Sequence, residues 1–338
     1  MIPSGAQQGV LPPAVAPATG RTSQQLSSAQ PTTGPRRLKL VYIVGEVRSG
    51  STLHGILLGA HPGVRTTGEL CGLPARFHET DRGCSCLKTA HECEFWSAVE
   101  ARCQGRVDLA RLERDQDRYE SYRSLPKTLL QAAFGSPALR DHVRRAAEFF
   151  RVIAEVGGAE VVIDLSKRPV RGYVYSLCRE AGLDVYFLHV VRDSRAVVYS
   201  RMSKPGTSKF EDAFLRRTPW NLGPRWAITN LLSSILCSRP RDRYLRVRYE
   251  DLVADPARAL AKIGAFLQVD FSDVAAAIAR KESIPVSHII GANRVRLQQT
   301  IQFTGDFAWR SKLSPHSQKV VWGLAGWLAL TYGYQWRE

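Results

Sequence analysis

The segment at residues 45–52, Gly-Glu-Val-Arg-Ser-Gly-Ser-Thr, constrains the fold of this chain more than any other stretch. An apolar, β-rich run precedes it at residues 38–44, and residues 51–60 carry apolar side chains at helical spacing until His61-Pro62-Gly63 ends the helix. A strand, a glycine-rich loop and a helix in this order predict a site where backbone N–H groups bind an anion. A turn without a ligand is the alternative, and the flanking strand and helix argue against it.

The loop has the Gly-x4-Gly frame of a Walker phosphate loop, but Ser51 stands where a nucleotide triphosphatase needs lysine. That lysine normally reaches the β- and γ-phosphates, and the hydroxyl that follows it holds magnesium. Without the lysine, γ-phosphate chemistry loses its main clamp, whereas Arg48 adds a guanidinium inside the turn. The loop therefore predicts a ligand with a terminal anion that need not be ATP.

The chain has 338 residues, and we expect a single large domain over residues 37–338. Gln, Ser, Thr, Pro and Gly dominate residues 1–36, which predicts a disordered N-terminal tail without a secretory signal. The longest apolar stretch, at residues 320–331, contains two glycines and is too short to span a bilayer. These features lead us to expect a soluble, cytoplasmic protein.

Strand and helix patterns alternate along the rest of the chain. We predict strands at residues 63–67, 160–165 and 184–191 and helices at residues 170–181 and 196–202. Residues 70–158 form a mainly helical insertion that contains several cysteines. The predicted fold class is α/β, a three-layer P-loop-like fold with a central parallel sheet and helices on both faces. Residues that bind ligand should lie just beyond the carboxyl ends of the strands.

The formal net charge of +16 favours an anionic ligand or an anionic surface. The basic residues are spread along the chain, and no helix-turn-helix, zinc-finger or RNP pattern indicates specific binding of nucleic acid. A solvated basic surface explains the charge equally well. An anionic nucleotide, an acidic acceptor and peripheral contact with an anionic membrane are all compatible with it.

Five of the seven cysteines lie in or at the start of the insertion. They are Cys71, Cys84, Cys86, Cys93 and Cys103. With His78 and His91 nearby, the cluster has enough soft ligands for zinc, but its Cys-x-Cys-x6-Cys spacing matches none of the common Cys-x2-Cys pairs. We therefore expect a reduced, packed insertion, with a structural metal site as the alternative.

A second anion site is predicted where the strand at residues 184–191 ends. Arg192 follows this strand at once, and the next helix carries Ser200. Because both residues follow a strand of the predicted parallel sheet, they are placed to clamp an anion near the loop at residues 45–52. An ordinary helix cap with surface arginines is the alternative interpretation of this stretch.

These segments together resemble a known family. The loop Arg48-Ser-Gly-Ser-Thr52 looks like the 5′-phosphosulfate loop of sulfotransferases that use 3′-phosphoadenosine 5′-phosphosulfate (PAPS). Residues 191–200 look like the segment of that family that binds the 3′-phosphate, and residues 248–252 and 288–310 fit the same family. The likeness is closest to the bacterial and carbohydrate-type branch, and it covers residues 38–334.

The resemblance implies that PAPS is the co-substrate and that the loop binds its 5′-phosphosulfate. The loop residues concerned are Arg48, Ser49, Gly50, Ser51 and Thr52. It implies further that Arg192 and Ser200 bind the 3′-phosphate and that Tyr249 lies near the adenine, although a core position explains this tyrosine as well. The family's Gly-Asn-Pro-x-Arg loop reads Gly-Ala-Asn-Arg-Val-Arg at residues 291–296, and Asn293 and Arg296 are implied to close over the 3′-phosphate.

Sulfuryl transfer by such enzymes is an in-line displacement in which positioning and electrostatics supply most of the catalysis. The resemblance implies that Glu69 is the general base, that Lys167 neutralises the sulfuryl oxygens and that Arg48 stabilises the departing phosphate. His54 and His61 are the rival bases, because histidine has the better ordinary pKa for this task. The scheme requires no magnesium, and we predict no metal in the active site.

The expected acceptor is a hydroxyl of a carbohydrate, a glycolipid or other lipid-linked molecule, or a small secondary metabolite. Residues 70–158 and 205–226 are the long excursions between core elements and should shape its pocket. Two other functions stay open. A P-loop kinase or NTPase-like enzyme with a degenerate loop would need ATP and magnesium, and a polyanion-binding protein would lose affinity steeply with added salt.

Overall fold

The computed structural model describes residues 37–72, 83–203 and 217–337. Residues 37–338 form one compact unit. The tail expected at residues 1–36 lies outside the described residues, as do residues 205–216 of the expected acceptor segment.

Five parallel strands form a central sheet in the order β2-β3-β1-β4-β5. The strand β1 (Lys39–Val44) lies in the middle, between β3 (Val161–Lys167) and β4 (Asp184–Val191). The edges are β2 (Val64–Gly68), which pairs with β3, and β5 (Tyr244–Arg248), which pairs with β4. Because β1, β3 and β4 are buried on both faces, their sequences are nearly continuous apolar runs.

Helices cover both faces of the sheet, and the side chains of β1 alternate between two apolar cores. Val41 and Ile43 pack with the helices of one face. These are α1 (Ser51–Gly59), α9 (Tyr249–Ala254), α10 (Pro256–Leu267) and α11 (Ser272–Ala279). Tyr42 and Val44 pack with the helices of the other face. These are α2 (Glu94–Cys103), α3 (Leu109–Tyr119), α4 (Leu125–Ala133), α5 (Pro137–Gly157) and α6 (Pro169–Ser176).

Four further helices pack around the end of β4. They are α7 (Ser194–Ser203), α8 (Pro219–Cys237), α12 (Trp309–Lys312) and α13 (Pro315–Thr331). The strand β6 (Ile284–Pro285) forms a small antiparallel pair with β7 (Thr300–Ile301). Residues 287–306, which follow β6 and include β7, are called the closing loop below. Among the residues that the structure describes, no helix is long and apolar enough to cross a membrane.

The predicted α/β fold with a central parallel sheet, helices on both faces and a mainly helical insertion is confirmed. The predicted strands agree with β1 to β4 within two residues at each end. The helix expected at residues 170–181 is shorter, because α6 ends at Ser176 and a single 3-10 turn at Leu177–Arg179 follows. The sequence analysis missed β5, a half-buried edge strand whose arginines break the apolar pattern.

Candidate active site

Residues 45–52, which we call the anion loop, run from the end of β1 into the first turn of α1. The backbone of this loop requires both of its glycines. Gly45 has a φ of 137°, and a Cβ there would lie 2.5 Å from the carbonyl oxygen of Val190. Gly50, directly before α1, has a φ of 92°, and a Cβ there would lie 2.5 Å from Cδ2 of Tyr249. Both glycines combine a left-handed φ with a close approach, so the two-glycine frame of the loop follows from its shape.

A cavity of about 410 Å³ opens beside this loop, a size within the range of small-molecule sites. It brings together ten of the residues that the sequence analysis singled out. They are Arg48, Gly50, Ser51, Thr52, Glu69, Lys167, Arg192, Ser200, Tyr249 and Asn293. Polar residues of the closing loop complete the lining, and of these the sequence analysis missed Gln298, Gln302 and Thr304.

Arg192 lies where β4 ends, with its guanidinium held on several sides. Its carbon Cζ stacks 4.4 Å from the ring centroid of Tyr249, and Nη1 lies 3.5 Å from the carbonyl oxygen of Arg48. Nη2 donates to the backbone oxygen of Asp306 and lies 3.6 Å from its carboxylate. Trp226 donates to the Arg192 carbonyl at 3.0 Å. The cation is therefore fixed in direction while it faces the cavity.

Tyr249 supports both halves of the site. Its ring packs against Gly50 and stacks with the guanidinium of Arg192, and its hydroxyl accepts a hydrogen bond from the Asp306 N–H at 2.9 Å. Burial raises the pKa of this phenol, so it stays neutral at physiological pH. The tyrosine thus joins the anion loop, the end of β4 and the closing loop.

Glu69 and Lys167 form an ion pair at the carboxyl ends of β2 and β3. Lys167 is buried and has a left-handed φ of 67°, and its ammonium also donates to the carbonyl of Leu165 at 3.0 Å. The Glu69 N–H donates to the carbonyl of Ile290 at 2.9 Å. A carboxylate and an ammonium, both held by the backbone around them, therefore lie together at the cavity.

The rival bases, His54 and His61, do not line the cavity within the described residues. His54 is buried in α1, its Nδ1 lies 3.0 Å from the carbonyl of Gly50, and burial lowers its pKa to about 4. The Nδ1 of His61 accepts from the Gly63 N–H at 3.0 Å, and its ring packs on Phe271. Both positions are accounted for by local structure, and of the three predicted bases Glu69 is the one that lines this cavity.

Ser49 and Arg296, both predicted to bind the nucleotide, do not line the cavity. Ser49 is only 1% exposed. Arg296 is also buried, and its guanidinium donates to the carbonyls of Ala292 at 3.2 Å and Gly83 at 3.3 Å. Asn293 does line the cavity, where its N–H donates to the Thr52 hydroxyl at 3.3 Å. The buried side chain of Arg296 therefore anchors the closing loop on the side away from the cavity. Asn293 joins the same loop to α1.

A buried carboxylate that the sequence analysis missed supports the anion loop. Glu46 is 3% exposed, and its Oε1 accepts from Arg201 at 2.7 Å and from Arg225 at 3.3 Å. The Ser49 N–H donates to the Glu46 carbonyl at 3.3 Å. Because Arg201 and Arg225 belong to α7 and α8, no local sequence pattern could have paired them with this loop.

Residues 41–273 match the model of the sulfotransferase family, which is more than half of the chain. The chain belongs to the sulfotransferase family. The matched range contains the anion loop, the Glu69–Lys167 pair, Arg192 and Tyr249, whereas the closing loop lies beyond it. Membership indicates a transferase that carries out sulfuryl transfer.

Three solved structures similar to this sulfotransferase also belong to sulfotransferases. The sulfotransferase domain of the Synechococcus PCC 7002 olefin synthase is 22% identical, with a TM-score of 0.46 over 91% of this chain and 99% of that one. The sulfotransferase domain from the curacin biosynthetic pathway is 18% identical, with a TM-score of 0.47 over 89% and 99%. A sulfotransferase from Mycobacterium avium is 13% identical, with a TM-score of 0.41 over 72% and 67%. No curated protein matches the chain in sequence.

Proposed function

We propose that this sulfotransferase uses PAPS and transfers its sulfuryl group to an acceptor hydroxyl by in-line displacement. The observation that carries the proposal is that one cavity joins a phosphate loop without a lysine, the fixed cation of Arg192 and the Glu69–Lys167 ion pair. A donor with two separate phosphate groups needs two anion sites, and a transfer to a hydroxyl needs a base. The closing loop contacts Thr52, Glu69 and Arg192, and this common contact supports a single site with all three roles.

The 5′ end of the donor fits the N-terminus of α1. Backbone N–H groups there point into the loop, and the helix dipole favours an anion. Arg48, Ser51 and Thr52 line the cavity at this point. Their N–H groups and the guanidinium of Arg48 would stabilise the charge that gathers on the 5′-phosphate as it leaves. The hydroxyl of Ser51 leaves no clamp for a γ-phosphate, which favours a donor that ends in a phosphosulfate.

The 3′-phosphate is proposed to bind Arg192 and Ser200. Arg192 already stacks on Tyr249 and reaches toward the carbonyl of Arg48, so a phosphate beside it would lie close to the 5′ site. A planar guanidinium in a fixed orientation suits bidentate contact with phosphate oxygens. Its present partner, Asp306, carries a carboxylate that the incoming phosphate would replace.

The chemical step uses the ion pair. The acceptor hydroxyl gives its proton to the Glu69 carboxylate as its oxygen bonds to sulfur, and the bond between sulfur and the 5′-phosphate oxygen breaks. The products are a sulfate ester and adenosine 3′,5′-bisphosphate. Once Glu69 is neutral, the ammonium of Lys167 is no longer offset by its partner, so its charge is available to the sulfuryl oxygens. We propose no metal in this step.

The acceptor is proposed to be a hydroxyl-bearing carbohydrate, glycolipid or secondary metabolite. The side chains of Gln298, Gln302 and Thr304 line the cavity and are exposed. Amide and hydroxyl groups can both donate and accept, so they suit a ligand with several hydroxyls.

A calorimetric comparison of three ligands tests the donor. Adenosine 3′,5′-bisphosphate without metal should bind, ATP with magnesium should bind at least tenfold more weakly, and a heparin-like polymer should bind only at low salt. Preference for ATP with magnesium would replace the proposal with a kinase or NTPase, and salt-sensitive binding of the polymer alone would replace it with a polyanion-binding protein. Incubation with labelled PAPS and an extract of the source cells, followed by identification of the labelled product, then names the acceptor.

A further inference from the structure

Three cysteines and one histidine converge outside the residues that line the cavity. They are Cys84, Cys86, Cys93 and His288. Their ligand atoms, three Sγ and one ring nitrogen, all lie within 4.8 Å of one another. The Nδ1 of His288 is 3.6 Å from Sγ of Cys84 and 3.2 Å from Sγ of Cys93. Across residues 37–72, 83–203 and 217–337, this is the one group of side chains with such an arrangement.

The distances between these four ligand atoms suit a metal ion with tetrahedral coordination. With Zn–S bonds of about 2.3 Å and Zn–N bonds of about 2.1 Å, tetrahedral ligands lie about 3.8 Å apart for two sulfurs and about 3.6 Å apart for sulfur and nitrogen. Three thiolates and one imidazole form a common ligand set of structural zinc sites. All seven cysteines of the chain are free thiols, so these three are not engaged in disulfides.

The backbone around the first two thiols holds them in a tight turn. The Leu87 N–H donates to the carbonyl of Cys84 at 2.9 Å, and the Cys84 N–H donates to the carbonyl of Lys88 at 2.8 Å. Leu87 has a left-handed φ of 67°, which a leucine adopts only where its surroundings enforce it. The turn brings the side chains of Cys84 and Cys86 to the same point although one residue separates them.

The third thiol belongs to a helix N-terminus. Cys93 directly precedes α2, where the helix dipole favours a thiolate. The thiolate is the form of cysteine that binds a metal.

The histidine is fixed by the residues that follow Cys93. The ring of His288 stacks on Phe95, with centroids 5.8 Å apart and planes 19° apart, and Trp96 donates its indole N–H to the His288 carbonyl at 3.1 Å. Its Nδ1 thereby faces the sulfurs. These two contacts fix the orientation of the ring and of the backbone at His288.

We propose that Cys84, Cys86, Cys93 and His288 bind one structural zinc ion. The cysteine spacing, which lacks a Cys-x2-Cys pair, favoured a reduced, packed insertion. The nitrogen ligand lies 195 positions after Cys93, so no local pattern links it to the cysteines. Of the histidines considered from sequence, His91 pairs with Glu100 at 2.7 Å, and His78 lies outside the described residues.

The zinc ion would tie the insertion to the closing loop. Ile290, two residues after His288, forms backbone bridges with both Gly68 and Cys84. Its carbonyl accepts from the Glu69 N–H at 2.9 Å. The segment that carries the histidine ligand therefore also holds the backbone of Glu69, so the ion stabilises the base from outside the cavity. The effect of the ion on a catalytic base rests on the proposed function, whereas the presence of the ion does not.

Metal analysis of the full chain tests the site. Protein purified without chelators, with any affinity tag removed, should contain about one zinc per chain by inductively coupled plasma mass spectrometry, since the four ligands close one tetrahedral site. A mercurial thiol reagent should release that zinc to a chromogenic chelator. Cobalt reconstitution should give thiolate-to-metal charge-transfer bands and tetrahedral ligand-field bands. Protein that holds no zinc after incubation with the ion, or cobalt spectra without these bands, would overturn the proposal.

Variants then identify the ligands. Cys84→Ser, Cys93→Ser and His288→Asn should each reduce bound zinc at least fivefold. Cys103→Ala is the matched control, because Cys103 is a buried thiol of the same segment outside the cluster and should retain full zinc. Equal zinc content in the ligand variants and the control would refute the assignment. Because the wild-type measurements use no variant, the proposal stays testable even if a ligand variant does not fold.

Nucleotide binding separates this inference from the proposed function. Removal of zinc from the wild type should weaken binding of adenosine 3′,5′-bisphosphate and lower the melting temperature, and added zinc should restore both. A protein with stoichiometric zinc that does not bind the nucleotide would refute the proposed function and leave the zinc site intact. A protein that binds the nucleotide but holds no zinc would refute the zinc site and leave the proposed function intact.

Discussion

At the scale of single residues, the proposed transfer step depends on the ion pair of Glu69 and Lys167. Glu69→Gln keeps the shape of the side chain but removes the group that takes the proton. We expect kcat to fall at least about 100-fold, since a positioned base contributes factors of about 10² to 10⁴. Affinity for adenosine 3′,5′-bisphosphate should stay within about twofold, because the proposed base contacts the acceptor rather than the nucleotide.

Product formation from PAPS and isothermal titration calorimetry measure these two quantities. Glu100→Gln serves as the control, because Glu100 pairs with His91 at the surface of the insertion and should leave both quantities unchanged. Wild-type turnover in the Glu69 variant would eliminate this residue as the base.

Arg192 is the residue on which the proposed 3′-phosphate site depends. Arg192→Ala removes a charged partner of the nucleotide, and we expect its affinity to fall about 10- to 100-fold, or about 1.5 to 3 kcal/mol. Arg192→Lys keeps the charge but loses the guanidinium fork and the stacking on Tyr249, so its affinity should be intermediate. Arg310→Ala removes an exposed positive charge outside the cavity and should bind as the wild type does. Calorimetry that found equal affinities in all four proteins would rule out this phosphate site.

At the scale of elements, the junction between the anion loop and α1 requires glycine at position 50. Gly50→Ala combines a left-handed φ of 92° with a Cβ that would lie 2.5 Å from the Tyr249 ring. Gly158→Ala is matched to it, because Gly158 also has a left-handed φ, 58°, but has nothing within 4 Å of the added Cβ. We expect the control to lose about 1 kcal/mol of the free energy of unfolding through its backbone alone.

The Gly50 variant should lose more than the control and should also bind the nucleotide less tightly, because Tyr249 must shift and Arg192 stacks on that ring. Chemical denaturation and calorimetry measure the two effects. Equal losses of stability in the two variants would show that the contact with Tyr249 has no effect, and that the unfavourable φ of alanine accounts for the whole loss.

The elements predictable from sequence are those whose pattern is local. The strand, loop and helix around Gly50 and the apolar runs of β3 and β4 each carry their signal within about ten residues. The missed features depend on pairs distant in sequence. Glu46 meets Arg201, 155 positions away, and Cys93 meets His288, 195 positions away. Periodicity describes which face of an element is buried, but it does not say which distant element covers that face.

At the scale of the whole molecule, buried charge joins the insertion to the sheet. Glu120, at the end of α3, forms an ion pair with Arg171 of α6 and lies 2.8 Å from Nε2 of His142 in α5. Arg171 also lies 3.5 Å from Asp164 of β3. All four side chains are at most 3% exposed. These contacts fix where the helices lie and do not take part in the chemistry of the cavity. The family resemblance, which rests on the motifs at the cavity, therefore gave no indication of them. Removal of one member would leave its partners charged and buried.

The stability of the folded chain should depend on pH through His189, a buried histidine in β4. Its Nδ1 lies 2.6 Å from the Tyr244 hydroxyl and its Nε2 lies 2.9 Å from Oδ1 of Asn230. These contacts suit a neutral ring that accepts at Nδ1 and donates at Nε2. Burial lowers the pKa of His189 from its ordinary value of 6.5 to about 4. Between those two values the unfolded chain therefore binds more protons than the folded one.

Stability from this group is thus complete above pH 6.5 and is lost as the pH falls toward 4. His189→Gln removes the titration, so between pH 7 and pH 5 the wild type should lose about 2 kcal/mol more of its free energy of unfolding than the variant does. His316→Gln, at an exposed position, should follow the wild type. Urea denaturation at several pH values measures the difference between the curves, which cancels the titration of His54 and of the buried carboxyl groups common to all three proteins. Parallel curves for the wild type and His189→Gln would mean that His189 gains its proton as readily in the folded chain as in the unfolded one.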